Sequence, residues 1–253
     1  GVYASVAPPG QASALHDPSN DSGGPGTPGR CTQATMTEPR LEITASRLFT
    51  SWLAAQNASL AFTTYQAGKL FFIGLNDQGR LAVFNRTLAR VMGLAAHGDT
   101  LWVATLWQLW RFENALAPGG RKDGHDRWYV PQLAFTTGDI DVHDVAVDAD
   151  GEPVFVSTLF SCVARPDPRV SFRPVWKPAF VSRYAAEDRC HLNGLAMRDG
   201  HPAFATCVAR SDANEGWREH RTDGGLLLDI ATGEVACAGL SMPHSPRWYR
   251  DRL

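Results

Sequence analysis

Short apolar runs, broken by Gly, Asp and Asn, fill the chain from Ser59 onward. Residues 60–65 form one such run and residues 69–74 form the next, with turn residues between them. Runs of this length, bounded by turn residues and rich in β-branched and aromatic side chains, are typical of β-strands. The pattern therefore predicts an all-β fold built from hairpin-linked strands.

The strand pattern repeats along the sequence. Each unit has an apolar run, a turn with Gly or Asp, and further apolar runs, and the units align at Gly93, Asp144, Gly194 and Pro246. These residue numbers differ by 51, 50 and 52. A period of about 40–50 residues made of short strands is typical of propeller blades, so we predict a β-propeller.

The repeat predicts four blades and the start of a fifth. The predicted blades are residues 59–90, 91–140, 141–190 and 191–240, with a fifth beginning at Met242. A propeller closes its ring to remove exposed sheet edges, and a blade of one strand leaves an edge open. We therefore expect an incomplete ring, a fragment of a longer protein. A four-bladed ring closed by an N-terminal strand is the alternative.

The first 40 residues differ from the rest in composition. They contain two segments rich in Pro and Gly, which bury too little apolar surface to offset the entropy of ordering. We expect residues 1–40 to be a disordered extension, with Met36 a candidate for the true start. Apolar residues at helical spacing within residues 41–57 predict a short helix that opens the propeller domain, residues 41–253.

Composition and charge exclude several classes of protein. Apolar residues make up 44% of the 253 residues and charged residues 20%, as in ordinary globular proteins. The formal net charge of −2 lacks the basic excess of nucleic-acid-binding proteins. No apolar run approaches the roughly 18 residues of a membrane helix. We expect neither a nucleic acid nor a membrane as a partner.

The cysteines favour a reducing compartment. They are scattered along the chain: Cys31, Cys162, Cys190, Cys207 and Cys237. An odd number without a C-x-x-C pair is unlike a disulfide framework or a zinc ribbon. We therefore expect a cytoplasmic protein.

A histidine precedes the first strand in three successive repeats. These residues are His143, His191 and His244, whose numbers differ by 48 and 53. In a propeller the first strand of each blade lines the channel, so three imidazoles can converge at one mouth. Such a set can bind a divalent transition metal, Zn²⁺ or Fe²⁺, and leave a position open. The alternative is that the histidines only fill the mouth and hydrogen-bond neighbouring blades.

Two carboxylates and an amide accompany the histidines. Asp144 can orient an imidazole or act as a general base, and Glu187 is the second candidate base. The charged residues around Glu187 can instead form an ion-pair network between blades. Asn193 can supply an amide at the same mouth.

Aromatic and basic residues suggest where a substrate binds. Trp217, Arg218 and Arg221 lie in an insertion of the fourth blade, and Arg247 follows His244. Arginines beside an aromatic ring can bind a carboxylate or a phosphate. A solvated loop is the alternative for the insertion.

Three motifs connect the chain with a known family. They are TYQAGKL at residues 64–70, EDRCHLNGLAM at residues 187–197 and MPHSPRW at residues 242–248. With them, residues 43–253 resemble a bacterial family of conserved hypothetical proteins, a domain of unknown function. The resemblance implies a propeller-like fold with further strand repeats. The family has no established activity, so the resemblance leaves the function open. A looser likeness of architecture is to propeller lyases that hold zinc with three channel histidines, and to propeller lactonases.

These observations leave alternative functions open. The first is a metal-dependent hydrolase or lyase that acts on a small polar substrate. The second is a non-catalytic binding or scaffold module that uses the propeller face to bind a protein or a small polar ligand. Carbohydrate or lactone binding is a third, weaker alternative, because histidine dominates the strand starts.

Overall fold

The computed structural model describes residues 43–253, and the predicted disordered extension, residues 1–40, lies outside the described residues. Helix α1 (Phe49–Gln56) comes first, and a 3₁₀ segment spans Gly216–His220. The strands are β1 (Leu60–Thr64), β2 (Lys69–Leu75), β3 (Leu81–Thr87), β4 (Leu94–His97), β5 (Thr100–Ala104), β6 (Gln108–Asn114), β7 (Tyr129–Thr136), β8 (Val142–Val147), β9 (Pro153–Ser157), β10 (Cys162–Arg165), β11 (Arg173–Trp176), β12 (Leu192–Arg198), β13 (His201–Cys207), β14 (Gly225–Asp229) and β15 (Val235–Leu240).

The strands form four antiparallel sheets in a propeller arrangement. The first sheet contains β1 to β3, and the other three contain β4 to β7, β8 to β11 and β12 to β15. Within each sheet every strand pairs with its neighbour in sequence. The first strands of successive sheets are the innermost strands, and β8 contacts both β4 and β12. The predicted all-β propeller of four blades is confirmed.

The apolar runs of the sequence are explained by packing between blades. Strand β9 is buried throughout, and its alternate side chains point to different neighbours. Phe155 packs in a cluster with Trp102 of the preceding sheet, whereas Val154 and Val156 pack in a cluster with Leu195 of the following sheet. A middle strand in this position is apolar on both faces, because each face buries against another blade.

Helix α1 confirms the predicted helix ahead of the first blade. It ends at Asn57, whose left-handed backbone has φ 46°. Its buried residue, Leu53, anchors it, and the helix contacts β2. Nowhere between residues 43 and 253 is a helix long and apolar enough to cross a bilayer.

The predicted first strand of a fifth blade is not formed. Residues 242–253 contain no strand, and residues 250–251 form a turn closed by an isolated bridge between Tyr249 and Arg252. Pro243 and Pro246 lack the backbone N–H that a strand ladder needs. The segment instead packs on the fourth sheet, where the ring of Trp248 stacks on Phe204 at 5.9 Å between centroids.

Candidate metal centre

The structure brings the three predicted histidines together at one mouth of the channel. One ring nitrogen from each of His143, His191 and His244 lies within 4.8 Å of the other two. The ring centroids are 4.9 Å apart for His143 and His191, and 6.1 and 6.0 Å from these rings to His244. His143 and His191 are mostly buried, whereas His244 is exposed. Within the described part of the chain, this is the group of side chains suited to a metal ion.

A repeated backbone conformation leads the chain into this mouth. Arg90, Asp141, His191 and Met242 all have left-handed backbone, with φ of 45°, 53°, 50° and 43°. Their residue numbers differ by 51, 50 and 51, so the same position recurs in every repeat. Left-handed backbone costs a non-glycine residue about 1 kcal/mol or more and persists only where surrounding contacts enforce it. The left-handed residue that recurs in each repeat therefore turns the loops toward the channel.

The histidines do not occupy one equivalent position. His143 and His244 each follow the left-handed residue by two positions, whereas His191 is itself that residue. Two positions after His191 stands Asn193, which is buried. Its Nδ2 donates to the His191 carbonyl at 3.1 Å, and its Oδ1 accepts from the Thr206 hydroxyl at 2.7 Å. The amide of Asn193, a predicted substrate-binding residue, thus holds the loop in the structure.

Hydrogen bonding fixes the tautomer of His143. The Thr158 hydroxyl lies 2.6 Å from the carbonyl oxygen of Leu192 and 2.7 Å from His143 Nδ1. A carbonyl oxygen can only accept, so the single hydroxyl proton is donated to Leu192. Nδ1 of His143 must therefore carry a proton and donate it to Thr158. The lone pair of the neutral ring is then on Nε2.

The same reasoning applies to the other two rings. His191 Nδ1 lies 2.8 Å from Asp188 Oδ2, and His244 Nδ1 lies 2.8 Å from the Met242 carbonyl oxygen. Both partners are acceptors, so both Nδ1 atoms carry a proton and donate it, and in the neutral form of each ring the lone pair is on Nε2. A histidine that binds metal through one nitrogen and donates through the other is the usual arrangement in metal sites.

The environment keeps His143 neutral. Burial lowers the pKa of His143 below its ordinary value of 6.5, and the nearby Asp141 carboxylate opposes this effect. The adjacent His191 lowers the pKa further, because two imidazolium charges repel. A neutral imidazole is the form that binds a metal ion.

The three imidazoles fit a transition metal once their nitrogens move slightly closer together. Zinc binds imidazole nitrogen at about 2.0–2.1 Å with tetrahedral geometry, which places ligand atoms about 3.3 Å apart. The nitrogens here spread over as much as 4.8 Å. His244 lies in an exposed loop and is the ligand with freedom to move inward. Three neutral imidazoles with a fourth position open suit Zn²⁺ or Fe²⁺ rather than Ca²⁺ or Mg²⁺.

Asp188, one of the charged residues around Glu187 for which an ion-pair network was the predicted alternative, is the carboxylate in closest contact with the cluster. Its Oδ2 accepts from both His191 Nδ1 and Trp217 Nε1, each at 2.8 Å. Its Oδ1 is buried and has no hydrogen-bond partner among the described residues. The carboxylate three residues before His191 was the available signal. Asp188 fixes the ring and places a negative charge behind it.

The two predicted bases are engaged elsewhere. Asp144 is buried and accepts two hydrogen bonds from Arg247, at 2.8 and 3.0 Å, and one from the Leu195 backbone at 3.0 Å. Glu187 pairs with Arg189 at 2.7 Å, and hydrogen bonding to Arg189 lowers the pKa of Glu187. Both carboxylates, and the predicted substrate-binding Arg247, thus join segments of the fold.

The insertion of the fourth blade covers one side of the cluster. Trp217 is buried, and its ring lies 4.1 Å from the His191 ring between centroids. The guanidinium groups of Arg218 and Arg221 lie 4.6 and 5.1 Å from the Trp217 centroid. Arg218 also pairs with Glu215 at 2.5 Å. Trp217 therefore positions His191, and the arginines lie around it.

The fold and the site together define a β-propeller with a histidine cluster at one mouth of its channel. The family described as Domain of unknown function (DUF4915) matches residues 47–253, and the chain belongs to this family. No protein among the curated sequences matches this chain.

Several solved structures resemble the chain at low identity. AztD of Citrobacter koseri is 13% identical with a TM-score of 0.32, over 74% of this chain and 47% of that one. Selenomethionine-substituted virginiamycin B lyase of Staphylococcus aureus is 11% identical with a TM-score of 0.41, over 75% and 56%. Regucalcin of Agrobacterium tumefaciens, described as a calcium-binding protein, is 14% identical with a TM-score of 0.33, over 74% and 64%. The chain thus spans about half the length of the first two.

Proposed function

We propose that this protein is a metal-dependent hydrolase or lyase whose metal is bound by His143, His191 and His244. The observation that carries the proposal is the hydrogen bonding of the three rings. Each Nδ1 donates to an acceptor, so in the neutral form of each ring Nε2 carries the lone pair that can bind a metal ion. Histidines that only filled the channel mouth would not need all three tautomers to agree.

The chain's own residues prepare the site for this chemistry. A bound Zn²⁺ or Fe²⁺ would supply a Lewis acid that polarises a carbonyl or acidifies a water molecule. Thr158 and Asp188 hold two of the rings in the tautomer that binds metal. Asp188 also balances part of the positive charge. Asp144 and Glu187 are already bound to arginines, so the proposal does not depend on either as the general base.

Metal analysis of the purified full chain tests the proposal. We expect about one equivalent of zinc or iron in the wild-type protein and its loss after His143→Ala, His191→Ala or His244→Ala. His201→Ala is the matched control, because His201 is exposed at the start of β13. Equal metal content in the wild type and the triple histidine variant, with the fold intact by circular dichroism, would overturn the proposal.

A metal-binding module without catalysis is the second candidate. The observation that favours it is that the two predicted bases, Asp144 and Glu187, both form ion pairs with arginines. Incubation of the zinc-loaded protein with a panel of small esters, amides and lactones separates the candidates. Turnover that disappears in the His191→Ala variant supports the enzyme, and metal binding without any turnover supports the module.

A further inference from the structure

Arg221 lacks an acidic partner within the described residues, unlike several other arginines in the same part of the chain. Arg183, Arg189, Arg218 and Arg247 lie 3.1, 2.7, 2.5 and 2.8 Å from carboxylate oxygens. Within residues 43–253 Arg221 forms no ion pair, and its side chain is exposed. A guanidinium without a carboxylate partner keeps its planar set of N–H donors available for a ligand.

The Arg221 guanidinium packs against Trp217, the ring that contacts His191. The guanidinium carbon lies 5.1 Å from the Trp217 ring centroid, and the Trp217 ring lies 4.1 Å from that of His191. The guanidinium carbon of Arg221 is therefore no further from the His191 ring centroid than the sum of these two distances. A small molecule can span that separation. Stacking on Trp217 also reduces the freedom that Arg221 loses when it binds a ligand.

Charge around the cluster favours an anion. Imidazole ligands are neutral when they bind a metal, so three of them leave a divalent ion with its full charge. Two carboxylates lie near the rings: Asp188 is hydrogen-bonded to His191, and Asp141, 3.6 Å from His143 Nδ1, is already paired with Arg90 at 2.9 Å. The unpaired Arg221 adds a further positive charge. Arginine forms bidentate hydrogen bonds with carboxylate and phosphate, which are stronger than bonds between neutral groups.

We propose that Arg221 is the anion-binding residue of the site and that its ligand is a small molecule carrying an oxyanion. The oxyanion, a carboxylate or a phosphate, pairs with Arg221 while another polar group of the same molecule reaches the metal. This inference rests on the proposed metal site and names its substrate class. Arg218, which is paired with Glu215, serves to pack against Trp217.

Calorimetric titration of the zinc-loaded full chain tests the inference, with inorganic phosphate and acetate as separate probes. We expect at least one probe to bind, and the tighter one identifies the oxyanion. Arg221→Gln should weaken binding by about tenfold or more, since a hydrogen bond to a charged group is lost. Arg221→Lys keeps the charge but not the planar donors, so its affinity for the probe should lie between those of the wild type and Arg221→Gln. The zinc content of each variant is measured in parallel and should not change.

Arg198→Gln is the matched control. Arg198 also lies over aromatic rings, 5.5 Å from Phe204 and 5.3 Å from Trp248, and it is exposed at the opposite end of β12 from His191. Its replacement should leave probe affinity within about twofold of wild type.

The outcomes separate this inference from the proposed function. If zinc binds but neither probe does, or if Arg221→Gln binds as tightly as wild type, the anion-binding role is overturned and the metal site stands. If the wild type takes up no metal, the proposed function fails, and titration of the metal-free protein decides the inference. Probe binding to the metal-free protein that depends on Arg221 then supports the anion-binding inference, and the absence of such binding overturns the inference.

Discussion

The Thr158 hydroxyl, in the turn between β9 and β10, lies 2.7 Å from Nδ1 of His143. The same oxygen lies 2.6 Å from the Leu192 carbonyl, at the beginning of the next blade. One buried hydroxyl thus connects two blades and determines which nitrogen of His143 carries the proton. The chemistry of the cluster and the packing of the propeller share this contact.

Replacing Thr158 with Val should weaken metal binding while preserving the shape of the side chain. The variant removes the acceptor of the His143 Nδ1 proton, and loss of such an outer partner lowers metal affinity by about 10- to 100-fold. Competition with a chromophoric chelator measures the affinity. Thr206→Val is the control, because it removes an equally buried hydroxyl that bonds Asn193. Both variants should lose about 1–2 kcal/mol of stability. A similar loss of metal affinity in both would contradict the specific role of Thr158.

Asp188→Asn should also weaken metal binding, by about 10- to 100-fold. The amide oxygen of Asn can still accept from His191 and Trp217, but the negative charge behind the imidazole is lost. Zinc affinity and the change in tryptophan fluorescence on zinc addition measure the effect. Asp139→Asn, which removes an exposed carboxylate paired with Arg90 at 2.9 Å, should leave the affinity unchanged. Wild-type affinity in Asp188→Asn would show that its charge plays no part.

The stability of the metal-free protein should depend on pH through His143. Burial lowers the pKa of His143 in the folded state below about 6.5, the ordinary value of a histidine side chain in the unfolded chain. Near this pH the folded state therefore binds fewer protons than the unfolded state. The contribution of neutral His143 is complete above pH 6.5 and is lost as the pH falls below it. Urea unfolding between pH 7.5 and pH 5.5 measures this loss. His143→Gln should show a smaller decrease over the same range, and an identical decrease would argue against burial of a neutral ring.

The ion pair of Asp144 and Arg247 should stabilise the packing of the last segment on the inner strands. Arg247 is half exposed, at 56%, whereas Asp144 is buried, at 7%. Arg247→Gln should lower the free energy of unfolding by about 1–3 kcal/mol, because the buried carboxylate loses charged partners. The double variant with Asp144→Asn should lose less than the sum of the single variants. Additive losses in urea unfolding would show that the two side chains are not coupled.

The sequence by itself determined the architecture and the identity of the histidines. The apolar run at Val154, Phe155 and Val156 requires a neighbour on each face, and its recurrence at intervals of about 50 residues requires stacked blades around an axis. Once that repeat is recognised, the convergence of His143, His191 and His244 follows from their similar positions within it.

Only the tertiary structure decided which residues serve the histidines. Thr158 reaches His143 from the next strand, Asp188 rather than Asp144 or Glu187 contacts His191, and Arg247 bonds Asp144 across 103 residues of sequence. A bulge between Val142 and Asp144, together with the left-handed backbone of His191, sets the direction of each side chain. Because adjacent residues of a strand point to opposite faces, a shift of one position reverses a side chain. Such shifts are set by contacts between blades, which the local sequence pattern does not contain.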